Sequence, residues 1–258
     1  MRFCISQIRD RLVDAFSCKR NAYKYQSELM ERLSHELRTS LTGVVGYSEF
    51  VESTSTEPMI NFTAKIIRES SQSLVRSSNS FFDLHRLGLG QLQLDCSSFS
   101  LSELVSEVVS GNQKHAQELC VNLVFACAED IYFLEMTTDK KRVKQIVEAL
   151  VFGAIQSAGK GNSIHLDLAL TNEKQAVKLV LSSSQAPADA ENTRLLQEFW
   201  STDHYKFRLQ EGPGVEMAFA KSMIYFLHGQ AEYKLTPNQH SKLIVTLPMH
   251  FNQTKVGL

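Results

Sequence analysis

A chain of 258 residues, 43% hydrophobic and 21% charged, holds enough for one large domain or two small ones, with the balance of an ordinary globular protein. A formal net charge of -1 excludes any global pull toward nucleic acid or an anionic membrane, so electrostatic recognition has to be local. Five scattered cysteines without a Cys-x-x-Cys pair, and eight scattered histidines, argue against a disulfide framework or a zinc site.

The N-terminus "MRFCISQIRD" acquires charge too soon for a signal-peptide core, and no apolar run approaches the ~20 residues that cross a bilayer. A cytoplasmic protein with no membrane insertion and no nucleic-acid partner is expected. Ile5, Ile8, Leu12 and Phe16 suggest a helical lead-in over residues 1–28. From Leu37 the inner positions run Leu37, Leu41, Val44, Ser48, Val51, in steps of four and three, which is the heptad seam of a bundle. "STSTEPM" (53–59) interrupts it with polar residues and Pro58, and marks a turn. A second seam follows through Ile67, Ser70, Leu74, Ser77, Phe81 and Leu84. Two such helices make an antiparallel hairpin over 29–94. One hairpin cannot cover two seams, so a homodimer forming a four-helix bundle is expected, although Ser70 and Ser77 loosen the second seam.

After "LGLGQLQLD" (87–95) the texture changes, and residues 95–258 read as a second domain. Helices are expected at 99–119, 139–158 and 213–229, the second capped by Asp139 or Thr138 and the third closed by Gly229. Strands are expected at 120–128, 163–170, 176–183 and 241–249. This order predicts one sheet with helices on one face.

The first helix carries "LSHELRTSLTGVVGYSEF" (33–50). His35 lies off the apolar seam and shares an exposed flank with Thr39, at about 100° per residue. Imidazole is a good nucleophile near neutral pH. Glu36 can accept the ring proton or hold the tautomer, and Thr39 can hydrogen-bond whatever lies over the ring.

This stretch resembles the phosphoacceptor motif of bacterial sensor histidine kinases, S-H-E-L-R-T-P-L-T followed by Gly-Tyr. His35, Glu36, Leu37, Arg38, Thr39, Leu41, Thr42, Gly46 and Tyr47 match. The resemblance implies that His35 is phosphorylated on nitrogen and that Glu36 is its acid–base partner. It implies supporting roles for Arg38 and Thr42, and a Glu36–Thr39 pair that can serve hydrolysis of a partner's phospho-aspartate. It also implies that the hairpin is the family's dimerisation domain. Ser40 stands where the family has proline, so the helix bend that proline causes is not expected here.

The resemblance extends over nearly all of residues 30–250 and implies that the second domain is an α/β sandwich of the histidine-kinase/Hsp90-type ATPase fold. "DKKRVKQIVEALVFGAIQSA" (139–158) resembles D-x-x-R-x-x-Q-I-L-x-N-L-L-x-N-A-x-K and keeps Asp139, Arg142 and Gln145. The two asparagines are replaced by Ala149 and Gly153, and the lysine by Gln156. In the family the second asparagine helps hold magnesium, and glycine has no oxygen donor to offer. No D-x-G-x-G follows "VKLVL"; Asp189 comes too late for the aspartate that meets adenine. "EGPGVEM" (211–217) keeps Gly212 and Gly214 of the phosphate turn but carries Glu216, whose charge would repel phosphate. Between these motifs Phe199 and Trp200 remain as a lid or as ordinary core.

An intact acceptor half beside a degraded ATP half leads to a phosphorelay protein. Its His35 accepts and passes phosphoryl groups to or from receiver-domain aspartates without efficient use of ATP. No metal or cofactor is expected of the chain itself; ATP and magnesium enter only if it is an active kinase with a divergent pocket. A further alternative is a non-catalytic pseudokinase that binds and regulates a kinase or a response-regulator receiver. Phosphatase action through Glu36 and Thr39 is a variant of the relay.

Overall fold

The computed structural model describes residues 30–132, 134–171, 175–184, 199–200, 214–235 and 241–251. The lead-in at 1–28, Asp189 and Gly212 lie outside them. The chain divides into two compact units between Leu92 and Gln93.

The first unit is a helical hairpin. Helix α1 is described over 30–54 and runs unbroken through Ser40; α2 spans Pro58–Gly88. Pro58 opens α2, where its missing N–H costs no helical hydrogen bond. Asn61 closes the turn by donating its side-chain amide to the Ser55 carbonyl at 3.0 Å. Three side-chain ties record the antiparallel register: Glu31 with Arg86, Arg38 with Asn79, and Glu52 with Arg68. The buried residues of the pair are mostly small, namely Ser34, Ser48, Ala64, Ser71 and Ser80, with Phe82 and Asp83 as the larger exceptions. Small side chains let two helices approach closely but bury little apolar area. The two expected seams therefore divide. Ser48 is buried, while Leu37, Val44, Val51, Ile67, Leu74 and Phe81 are between 37 and 58% exposed. Within one hairpin those six form an uncovered face.

Among the described residues the second unit holds a five-stranded mixed sheet. Its strands are β2 (Asn122–Cys127), β4 (Ser163–Leu170), β5 (Ala176–Ser183), β6 (Gln230–Leu235) and β7 (Ser241–Pro248), in the order β2-β4-β5-β7-β6. β2 and β4 run parallel; every other neighbour is antiparallel. Alternate residues Ile164, Leu166 and Leu168, then Val177, Leu179 and Leu181, then Leu243, Val245 and Leu247 are buried, while His165 and Lys178 on the opposite face are exposed. Period-two burial of this kind belongs to a sheet covered on one side. The cover is α3 (Leu101–Glu118), α4 (Lys140–Ser157) and α5 (Val215–Phe226), with α4 packed between the other two. Ser100 caps α3 by accepting from the Glu103 N–H. Of the two expected caps of α4, Asp139 holds the position: one carboxylate oxygen accepts from the Arg142 N–H and the other from the Asp95 N–H, both at 3.0 Å.

Three strands escape the sequence pattern. β1 (Cys96–Ser100) pairs antiparallel with β3 (Glu135–Asp139), and β6 forms one sheet edge. The end of α5 also differs from expectation. The left-handed residue there is His228, with φ of 59°, not Gly229. Gly229 is needed for another reason, since a Cβ on it would come within 2.6 Å of the Thr246 carbonyl oxygen.

Candidate functional site

His35 follows buried Ser34 on α1, so its side chain starts on the flank of the hairpin and is exposed. Glu36, Arg38, Thr39 and Thr42 are exposed beside it. Neither the His35 ring nor the Glu36 carboxylate makes a side-chain hydrogen bond among the described residues. Adjacent helical residues point apart, so Glu36 reaches the ring only by folding back. The expected role of Thr39 above the ring needs a rotation, because its hydroxyl donates to the His35 carbonyl at 2.9 Å. The Thr42 hydroxyl likewise donates to the Arg38 carbonyl at 2.7 Å. Arg38 alone of this group reaches across the hairpin, donating to Asn79 Oδ1 at 2.9 Å. The arrangement presents a nucleophilic imidazole to solvent, with a carboxylate, two hydroxyls and one tethered guanidinium within a helical turn or two.

In the second unit α4 brings Ala149, Gly153 and Gln156 to one helical face, and α5 packs against α4. A Cβ built on Gly153 would lie 2.3 Å from Met217 Cε. The methionine tip therefore fills the space a side chain at 153 would need. Gln156 is turned to α3, its amide nitrogen 3.1 Å from the His115 ring, and that ring stacks on Phe152. Gly214 opens α5 at φ of 97°, a conformation that suits glycine. One Glu216 carboxylate oxygen sits 4.0 Å from where a Gly214 Cβ would stand, so a negative charge already lies at this helix N-terminus. Phe199 and Trp200 are buried and meet edge to face at 5.0 Å. Sequence reasoning missed Lys221, a lysine in the apolar run "MAFAKSMIYF". Its buried ammonium donates to the Phe199 carbonyl and stands 4.8 Å above the Phe199 ring. The oddity of a cation inside that run was the available signal.

Among the described residues, positions 149 and 153 do not fit a magnesium ligand. Magnesium needs oxygen ligands, and positions 149 and 153 supply none while a thioether occupies the nearby space. Among the described residues no cluster of metal-ligating side chains occurs, and no helix is long and apolar enough to cross a membrane. Gly153→Asn is expected to lower the melting point of this unit by driving the new side chain into Met217, a strain of about 1–3 kcal/mol. Adding Met217→Ala to that variant should recover most of the loss in a thermal scan.

A histidine-bearing hairpin followed by a one-sided mixed sheet defines a phospho-acceptor unit joined to a fold of the histidine kinase ATPase type. Comparison with known proteins agrees. Residues 25–90 match the His Kinase A (phospho-acceptor) domain. The sensor histidine kinase GacS of Pseudomonas protegens is 26% identical over 232 residues, covering 88% of this chain and 25% of that protein. The circadian input-output histidine kinase CikA of Synechococcus elongatus is 25% identical over 244 residues, covering 92% and 32%. The chain thus spans roughly a quarter to a third of these relatives. Full-length ShkA, solved in complex with AMPPNP, superposes with a TM-score of 0.62 at 20% identity, over 86% of this chain and 45% of that one. Histidine kinase ThkA, solved in complex with response regulator protein TrrA, gives 0.52 at 19% identity, over 90% and 67%. The chain is thus similar to sensor histidine kinases over most of its length, and residues 25–90 match their phospho-acceptor domain.

Proposed function

We propose that this chain works in two-component signalling as a phosphorelay protein, in which His35 takes a phosphoryl group from one receiver aspartate and passes it to another. The step is balanced within the pair. An imidazole nitrogen bonds to phosphorus as the acyl P–O bond breaks, and the electron pair leaves with the aspartate carboxylate. The receiver supplies the magnesium, so positioning is the main demand on this chain. One contrast supports this reading best: an acceptor histidine open to solvent, in a chain whose Gly153 lies under Met217 where a magnesium ligand would be. The solved complex of the related fold ThkA with TrrA makes a response-regulator receiver the fitting partner. A homodimer follows from the uncovered hairpin face, and a cytoplasmic site is the natural setting for such a pair. We assign residues 1–28 to a lead-in, 29–94 to the acceptor hairpin and 95–258 to the ATP-binding-like domain.

Radiolabelled ATP with magnesium tests the central point. Wild type and His35→Ala are both expected to stay unlabelled, scored as acid-labile, base-stable phosphate. Label on wild type alone would make the protein an ATP-dependent kinase and overturn the reading of Ala149, Gly153 and Glu216.

A further inference from the structure

We propose that Asn79 is a positioning residue for the phosphoryl group on His35, acting by holding Arg38 beside it. The inference rests on His35 being the acceptor. Arg38 lies three residues on from His35, about 4.5 Å along the helix and some 60° around it, on the side toward α2. Its guanidinium donates to Asn79 Oδ1 at 2.9 Å, and no other partner of Arg38 is present among the described residues. One of five N–H donors is thus spent on a neutral amide, leaving four for an anion. Guanidinium pairs well with phosphate oxygens, in the two-pronged geometry that a lysine cannot match. A free arginine spreads over many rotamers, and the Asn79 tie removes part of that spread before phosphate arrives.

Within two turns of His35 on α1 the other charges are Glu31, Arg32 and Glu36. The α2 segment from Asn79 to Arg86 carries the buried Asp83, His85 with its Nε2 buried and unpartnered among the described residues, and Arg86. Arg86 is committed to Glu31 at 3.4 Å. Arg32 is exposed and has no tie to α2 among the described residues. Arg38 is therefore the cation near the ring whose place is set by the opposite helix through an uncharged side chain.

The test phosphorylates the full chain with potassium phosphoramidate, whose phosphorus bonds to imidazole nitrogen as ammonia leaves. The second ionisation of the phosphoryl group is then followed by 31P NMR. A nearby guanidinium favours the dianion, so losing it raises that pKa. Asn79→Leu and Arg38→Met are each expected to raise it by about half to one unit, and the double variant to go no further. Asn79→Ser keeps an acceptor and is expected to stay near wild type, which covers any disturbance caused by leucine. Arg32→Met should leave the titration where it was. A wild-type titration in Asn79→Leu, with or without a shift in Arg38→Met, overturns the proposal. Failure of the relay itself reads out separately: His35→Gln exchanging phosphate with a phosphorylated receiver as fast as wild type would end that reading, while the NMR titration would still report on Asn79.

Discussion

His35→Gln is expected to take up no phosphoryl group from a phosphorylated receiver, a loss of at least about a thousandfold, the scale on which removing a nucleophile acts. Glutamine keeps the size and polarity of the side chain but has no nitrogen lone pair fit to attack phosphorus. Because the ring is exposed and makes no side-chain hydrogen bond among the described residues, the substitution should leave the hairpin's helicity and melting unchanged. That separation of chemistry from stability makes the variant informative. Thr39→Ala provides the comparison. Its hydroxyl now donates to the His35 carbonyl at 2.9 Å, so its removal should slow uptake less than tenfold if the chain is a relay. If the chain instead hydrolyses phospho-aspartate, the order reverses, and Thr39→Ala harms release of inorganic phosphate more than His35→Gln does. Quench-flow transfer assays on the two variants with one phosphorylated receiver decide between these outcomes. A pseudokinase that only binds its partner predicts a third pattern, in which neither variant changes the biological output.

The hairpin and the covered sheet were legible because their signals are periodic. Leu166, Leu168, Leu179 and Leu181 alternate strictly, and the helices of the second unit carry apolar rows, with Asp139 as a recognisable cap. β1 and β3 were illegible for the opposite reason. "CSSFS" and "EMTTD" are five residues each, rich in hydroxyls, and pair mainly with one another. β6, "QAEYKL", alternates but lies at a sheet edge where no strong apolar row is required. Composition at the candidate site was readable, whereas contact was not. Gly153 shows at once that a ligand is lacking, but nothing in the sequence places Met217 over it. The tie from Arg38 to Asn79 joins residues 41 apart, and only the register of the hairpin sets it. The seams show the same limit from another side. Steps of three and four identify two apolar rows, but which members turn toward the partner helix depends on side-chain size. Of the seam members Ser48 went inside, while Leu37, Val44, Val51, Ile67 and Leu74 stayed out.

Leu74→Asp is expected to convert a dimer into a monomer. In one hairpin Leu37, Val44, Val51, Ile67, Leu74 and Phe81 remain between 37 and 58% exposed, spaced as a seam along both helices. Covering the remaining half of such a side chain contributes about 1 kcal/mol, so a second copy offers each hairpin a substantial gain. The inner contact of the hairpin, built mostly on Ser34, Ser48, Ala64, Ser71 and Ser80 with Phe82 as its one large apolar member, buries less apolar surface than that face offers. Leu74 sits mid-helix at 58% exposure, where packing within the chain depends on it little. A carboxylate there would be harmless in a monomer and would cost several kcal/mol once buried unpaired in a bundle. Sedimentation equilibrium should therefore show the dissociation constant rising at least a hundredfold for Leu74→Asp, with Leu74→Ala in between. A monomeric wild type, or a dimer indifferent to Leu74→Asp, would mean that a different partner covers this face. The same centrifuge run carries a second consequence. Because the single hairpin buries so little of its own, the monomeric variant should also lose helical signal from residues 30–88 at a lower temperature than wild type.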